Sequence, residues 1–183
     1  MRKAKPKTSK VTARKVASKK VVGSKPGVQS QADPQAQLDT FLDKYTSEVA
    51  AFARLALTKM RRLMPGAIEM VYDNYYALVV GFGPSERPSE AIFSIALYPD
   101  HVSLCFLQGA RLQDPAGLLE GSGNVVRHIR LFTAGSPDPR RLDDRDVCML
   151  IASGLLDAKV QMPAKPQRKL IIRAISAKQR PRR

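Results

Sequence analysis

The stretch Ala67-Ile68-Glu69-Met70-Val71-Tyr72-Asp73-Asn74, continued past Tyr75-Tyr76-Ala77 by Leu78-Val79-Val80-Gly81-Phe82, is where the hydrophobic period of this chain becomes two. Ile68, Met70 and Tyr72 alternate with Glu69, Val71 and Asp73, and Leu78, Val80 and Phe82 resume the alternation. Successive strand side chains point to opposite faces, so the pattern predicts a hairpin of two strands turned at Asp73-Asn74. Upstream the period is helical. Asp33-Pro34 offers an N-cap and a first-turn proline, and Leu38, Phe41, Leu42, Tyr45, Val49, Phe52, Ala56, Met60 and Leu63 recur at three- and four-residue steps. One long amphipathic helix is expected, ended by Pro65-Gly66.

Downstream, Phe93, Ile95 and Leu97 share one face of a third strand, Tyr98-Pro99-Asp100-His101 is a tight turn, and Val102, Leu104 and Phe106 give a fourth strand a matching face. Such a meander needs helices over its apolar side. After a linker over residues 108–120, residues 121–124 lead into a fifth strand. There alternation puts Val125, Arg127, Ile129 and Leu131 on one face and Val126, His128, Arg130 and Phe132 on the other. Asp143, Asp144 and Asp146 crowd the start of a second helix with the stripe Val147, Leu150, Ile151 and Leu155, as suits a helix N-terminus. The fold class expected is α+β: an antiparallel sheet of about five strands packed by an N-terminal and a C-terminal helix, with disordered basic tails.

Charge divides the chain in the same way. Of the 183 residues, 1–30 hold ten Lys/Arg and no acid, 159–183 hold nine and no acid, and the middle holds twelve bases against sixteen acids. The net charge of +15 therefore belongs to two arms around a mildly acidic body. Residues 1–32 bury too little to offset their ordering entropy and are expected to be disordered; 33–158 form the domain; 159–183 are a basic tail whose Leu170-Ile171-Ile172 patch could dock as a short strand or helix. Lys3, Lys5, Lys7, Arg14, Lys15, Lys19, Lys20, Arg180, Arg182 and Arg183 are the candidate phosphate contacts, giving salt-sensitive, sequence-blind attraction to DNA or RNA. Cys105 and Cys148 lack redox or metal spacing and read as small buried hydrophobes in a reducing cytoplasm. No apolar run is long enough to span a membrane.

The chemistry-bearing stretch is residues 121–131. Gly121, Ser122 and Gly123 flank a turn whose amides could nest an anion, with Arg127, His128 and Arg130 close by, and Tyr72 joins them as a candidate ligand contact. The turn precedes a strand and has no downstream Lys-Ser/Thr, so it is no nucleotide loop. Asp39 and Asp43, four residues apart on the expected helix, form the candidate metal pair. Ser122 lies in no nucleophile elbow, and no catalytic residue is assigned. Tyr72, Tyr75, Tyr76 and Phe82 could line a groove, stack bases or simply pair across strands.

Several segments resemble the YdhG-like family of small bacterial domains, catalogued as domain of unknown function 1801. They are Leu38-Asp39-Thr40-Phe41-Leu42, the junction at residues 63–72, the hairpin at 98–104, and above all Asp114-Pro115-Ala116-Gly117-Leu118-Leu119-Glu120-Gly121-Ser122-Gly123 with Arg127-His128-Ile129-Arg130-Leu131. The resemblance implies an antiparallel sheet packed by terminal helices and, because some members are described as frataxin-like intracellular iron chaperones, iron as a cargo. Function is accordingly expected to be a non-enzymatic intracellular binding module, contacting a small ligand or protein through the sheet and the 121–130 turn-strand. The alternative is a nucleic-acid-associated protein that uses its tails. The expected location is the cytoplasm, at the nucleoid if the alternative holds.

Overall fold

A computed structural model describes residues 33–136, 139–158, 162 and 168–183. The basic segment 1–32, with Lys3, Lys5, Lys7, Arg14, Lys15, Lys19 and Lys20, lies outside the described residues. The fold is α+β, with helices α1 (Pro34–Leu42), α2 (Ser47–Leu63) and α3 (Arg145–Asp157) and strands β1 (Ile68–Asp73), β2 (Leu78–Gly83), β3 (Phe93–Leu97), β4 (His101–Phe106), β5 (Arg127–Thr133) and β6 (Lys169–Ile175). The sheet runs β5-β4-β3-β2-β1-β6. Its first five strands are antiparallel as expected, but β6 pairs in parallel with β1, so the six-stranded sheet is mixed.

The C-terminal arm is thus corrected from a solvated tail to part of the domain. Leu170 and Ile172 pack on the main core and Ile171 on a smaller cluster across the sheet. Their apolar patch finds its partner in the open edge of β1, which an exposed run of backbone donors and acceptors would otherwise leave unpaired.

The expected single N-terminal helix is two. Asp43 caps α1, and the Thr46 hydroxyl caps α2 by accepting from the Val49 amide at 3.4 Å. The break lets Tyr45 leave the helical path and enter the core, where its hydroxyl donates to the Leu97 carbonyl (3.1 Å) and accepts from the Leu78 amide (2.9 Å).

Leu78, Val80 and Phe82 of β2, Phe93, Ile95 and Leu97 of β3, and Val102, Leu104 and Phe106 of β4 stand in cross-strand register on one face, which buries them in the main core with the apolar sides of α1, α2 and α3. In β1 the orientation reverses the simplest expectation. Val71, opposite Val80, faces that core, and Glu69 and Asp73 share its side. Ile68, Met70 and Tyr72 lie on the other face with Ala91, Leu107 and Ile171. Two buried carboxylates on a helix-covered face are tolerable only if paired. Arg61 grips Glu69 with two bonds of 2.8 and 2.7 Å, and Lys44, Gln179 and Arg182 converge on Asp73 at 2.7, 2.5 and 3.2 Å.

A second departure lies in β5. Its register with β4 shifts between Val102 and Ser103, which face Phe132 and Arg130 respectively, leaving Leu131 as the extra residue. Leu131 and Phe132 are therefore both buried, and Phe132 stacks on Phe52 of α2 with ring centres 5.0 Å apart. Val125, which alternation groups with Ile129 and Leu131, is exposed, and the strand begins only at Arg127. The acidic start of α3 is as expected, with Asp144 accepting from the amides of Asp146 (2.8 Å) and Val147 (3.3 Å). Cys105 is partly buried, but Cys148 is exposed beside Lys59, whose Nζ lies 3.6 Å from its sulfur, so only the first behaves as a core thiol. No helix among the described residues is long and apolar enough to cross a membrane.

Candidate functional site

The turn at residues 121–124 forms the tip of a small loop closed by reciprocal backbone bonds between Glu120 and His128, at 2.8 and 3.0 Å. Gly121 holds φ at +111°, a value that side-chain-bearing residues rarely adopt, which accounts for glycine there. Arg127 does not reach outward for an anion: its Nη1 donates to the carbonyl oxygens of Gly123 and, at 2.9 Å, of Val126. Carbonyls rather than an amide nest meet this cation. His128 sits with Nε2 3.6 Å from a Glu120 carboxylate oxygen. Arg130 is exposed and borders an open polar hollow with Glu120, Thr133, Ser136 and Arg141, while its own carbonyl accepts from Arg141 at 2.9 Å. Ser122 and Gly123 are exposed.

Tyr72 does not join this group. It lies on β1, and three intervening strands place it roughly 19 Å from β5. Asp39 accepts from Gln35 at 3.3 Å and Asp43 pairs with Arg54 at 2.6 Å. Among the described residues, no three His, Cys, Asp or Glu side chains gather as a metal site would require. Of the three C-terminal arginines expected to meet phosphates, Arg180 is exposed. Arg182 is buried on Asp73 and the Asn74 carbonyl, and Arg183 donates to the backbone carbonyls of Tyr45 (3.0 Å) and Asp43. Arg182 is therefore corrected from solvated cation to core ion, because Asp73 is an acid that needs it.

A cavity of about 230 Å³ opens elsewhere, between α3 and the ends of β3 and β4. Beneath it Phe93 and Phe106 pack edge to face with ring centres 5.3 Å apart, both almost wholly withdrawn from solvent. Gly154 makes the approach of α3 possible: a Cβ there would come within 2.9 Å of the Phe93 ring. Across the mouth, Arg111 Nη2 lies 3.0 Å from Asp157 Oδ2, an oxygen withdrawn from solvent that accepts no hydrogen bond. Glu90 stands on the rim. Its carboxyl is held below the ordinary range, first by the Ser85 hydroxyl at 2.5 Å and then by Arg87.

The sequence-predicted loop touches this cavity from behind. Gly109, on the cavity wall, is so close to the loop strand that a Cβ would fall 2.7 Å from that of Arg127, and Ala110 donates to the Val125 carbonyl at 2.9 Å. The 121–128 loop thus buttresses the wall formed by residues 108–112 without lining the cavity. No histidine or cysteine is among the described residues that line it, and the arrangement suits retention of a small molecule with an apolar body. Sequence reasoning placed Phe93 and Phe106 as core and passed over Gly154; a lone glycine inside an apolar helical stripe was the available signal. Comparison with known protein families, curated proteins and solved structures finds no match for this chain.

Proposed function

We propose that this chain is a binding module whose domain takes a small ligand with an apolar body into the cavity beneath α3. The observation that carries the proposal is the cavity itself, whose apolar lining at Ala91, Ile92, Leu112 and Ala158 meets the bare backbone of Gly154, with the Arg111–Asp157 pair across the mouth. An apolar pocket with a few convergent polar groups is the ordinary form of a small-molecule site. The resemblance of residues 114–123 and 127–131 to the YdhG-like family fits this role in one respect, that Arg127 packs against Gly109 of the cavity wall. The test is a thermal-shift screen of the full chain against small aromatic and aliphatic acids and amines. Stabilising compounds should lose their effect in Gly154→Ala and Arg111→Ala proteins; compounds that stabilise the variants equally, or none that stabilise the parent, would contradict it. Iron handling belongs to the same family resemblance, and ferrous titration leaving the Asp39 and Asp43 resonances unmoved would reject it.

A second reading, association with nucleic acid, is favoured by the ten Lys/Arg and absent acids of residues 1–30. It requires affinity that falls steeply as salt rises and that weakens when those residues are removed.

A further inference from the structure

We propose that the tip of the β1–β2 hairpin, Tyr75 and Tyr76 with Arg180 laid against it, is a stacking surface for single-stranded nucleic acid. Tyr75 and Tyr76 are 42% and 59% exposed, unusual for two adjacent large aromatics on a rigid turn. They stand edge to face with centres 4.7 Å apart, and the Arg180 guanidinium lies 5.2 Å from the Tyr76 ring centre. A cleft of about 210 Å³ runs beside Tyr76, bounded by Tyr98, Pro99, Asp100, Arg180 and Pro181. Its far side carries a further stacked pair, Tyr98 on His101, 4.4 Å apart and nearly parallel.

The surface is held ready. Asn74 donates to the Ala77 carbonyl at 3.0 Å to close the turn, the Arg180 amide donates to the Tyr75 carbonyl at 3.0 Å, and buried Arg182 donates to the Asn74 carbonyl. The C-terminal segment thus fixes both the turn and the cation above it, so a base would meet little ordering cost on arrival. Exposed aromatic faces beside an arginine are what unpaired bases require, whereas the stacked bases of a duplex present no free face. Asp100 is the opposing charge in the cleft. Its carboxylate engages His101 Nδ1 at 2.7 Å and stays ionised, so phosphates are directed to the Arg180 side. Exposed Arg180 at the cleft, with the ten Lys/Arg and absent acids of residues 1–30, favours a polyanion over an apolar peptide as the occupant.

This inference deepens the nucleic-acid reading by giving the folded domain its own preference for unpaired strands, and its test separates the two. Fluorescein-labelled oligothymidylate and a labelled duplex are titrated with the full chain by anisotropy at two salt concentrations. The parent protein should prefer the single strand, increasingly so at the higher salt. Tyr76→Ala and Arg180→Ala should each weaken single-strand binding by about five-fold or more, Tyr76→Phe should retain it, and Tyr76→Ala should leave duplex binding unchanged. The chain has no tryptophan, so quenching of tyrosine emission on oligothymidylate binding should fall in Tyr76→Ala. Equal binding of both strands, indifferent to these substitutions, would leave the basic arm as the binder and overturn the stacking surface. Failure of the parent chain to bind either oligonucleotide would overturn both.

Discussion

Arg182 Nη2 lies 3.2 Å from Asp73 Oδ1, with both side chains almost wholly withdrawn from water at 3% and 1% exposure. The two residues stand 109 positions apart in sequence, and their pairing explains how a strand can turn an aspartate toward a helix-covered face. Lys44 is a second cation on the same carboxylate at 2.7 Å, and the Arg182 guanidinium also rests 5.4 Å from the Tyr45 ring centre. Two guanidinium nitrogens, Nε and Nη1, donate to no acceptor among the described residues, so the site is polar, dense and incompletely satisfied. Breaking a buried ion pair from one side leaves an uncompensated charge. Asp73→Asn, which leaves both cations facing a neutral amide, should lower stability by about 3–5 kcal/mol in urea unfolding. Arg182→Met should cost less because Lys44 and Gln179 still serve Asp73, and the double variant should be less destabilised than the sum of the single ones.

Tyr45 should make the fold alkali-sensitive. Burial pushes its phenol up from 10.0 to about 12, with the Arg182 charge pulling the other way as the next largest influence. The neutral phenol is favoured in the folded chain, so this contribution is fully present below about pH 10 and drains away between pH 10 and about 12 as the unfolded phenol ionises first. The loss over that window is about 2–3 kcal/mol. Tyr45→Phe should show no such decline, at the expense of about 1–3 kcal/mol at neutral pH because the Leu78 amide loses its acceptor. Urea midpoints of the two proteins against pH measure both effects.

A chain truncated after residue 158 should not hold the native fold. It loses β6, which covers the edge of β1 and adds Leu170 and Ile172 to the core, together with Gln179 and Arg182 on Asp73. Circular dichroism and size-exclusion chromatography should find it partly unfolded or aggregated, through the exposed β1 edge. A cooperative thermal transition at the parent's temperature would contradict this.

Much of the architecture is legible wherever one local rule decides. Asp33-Pro34 and Asp144 cap helices in the order that sequence rules require, and the alternations in β2, β3 and β4 point the apolar sets to the core. What escapes is whatever depends on a distant partner. Alternation alone cannot tell that Glu69 and Asp73 point inward, since their counter-ions are Arg61 on α2, Lys44 in the interhelical turn and Arg182 near the C-terminus. β6 hides because a half-exposed edge strand keeps Lys169 and Arg173 among its apolar residues, and the β5 bulge that buries both Leu131 and Phe132 violates the period used to find strands. The 121–130 stretch is visible as a motif, but its Arg127 is consumed by carbonyls of its own turn. The cavity draws on three separate segments, residues 89–93, 106–112 and 154–158, and no single stretch announces it.

The most direct test of the binding account is an amide chemical-shift map of the full chain titrated with the strongest stabilising compound from the thermal screen. The largest shifts should fall at Ile92, Phe93, Gly109, Arg111 and Gly154, with smaller ones at Val125 and Arg127, which brace the wall from behind. Shifts confined to residues 121–130, leaving Phe93 and Gly154 unmoved, would move the site to the loop and contradict the assignment of the cavity.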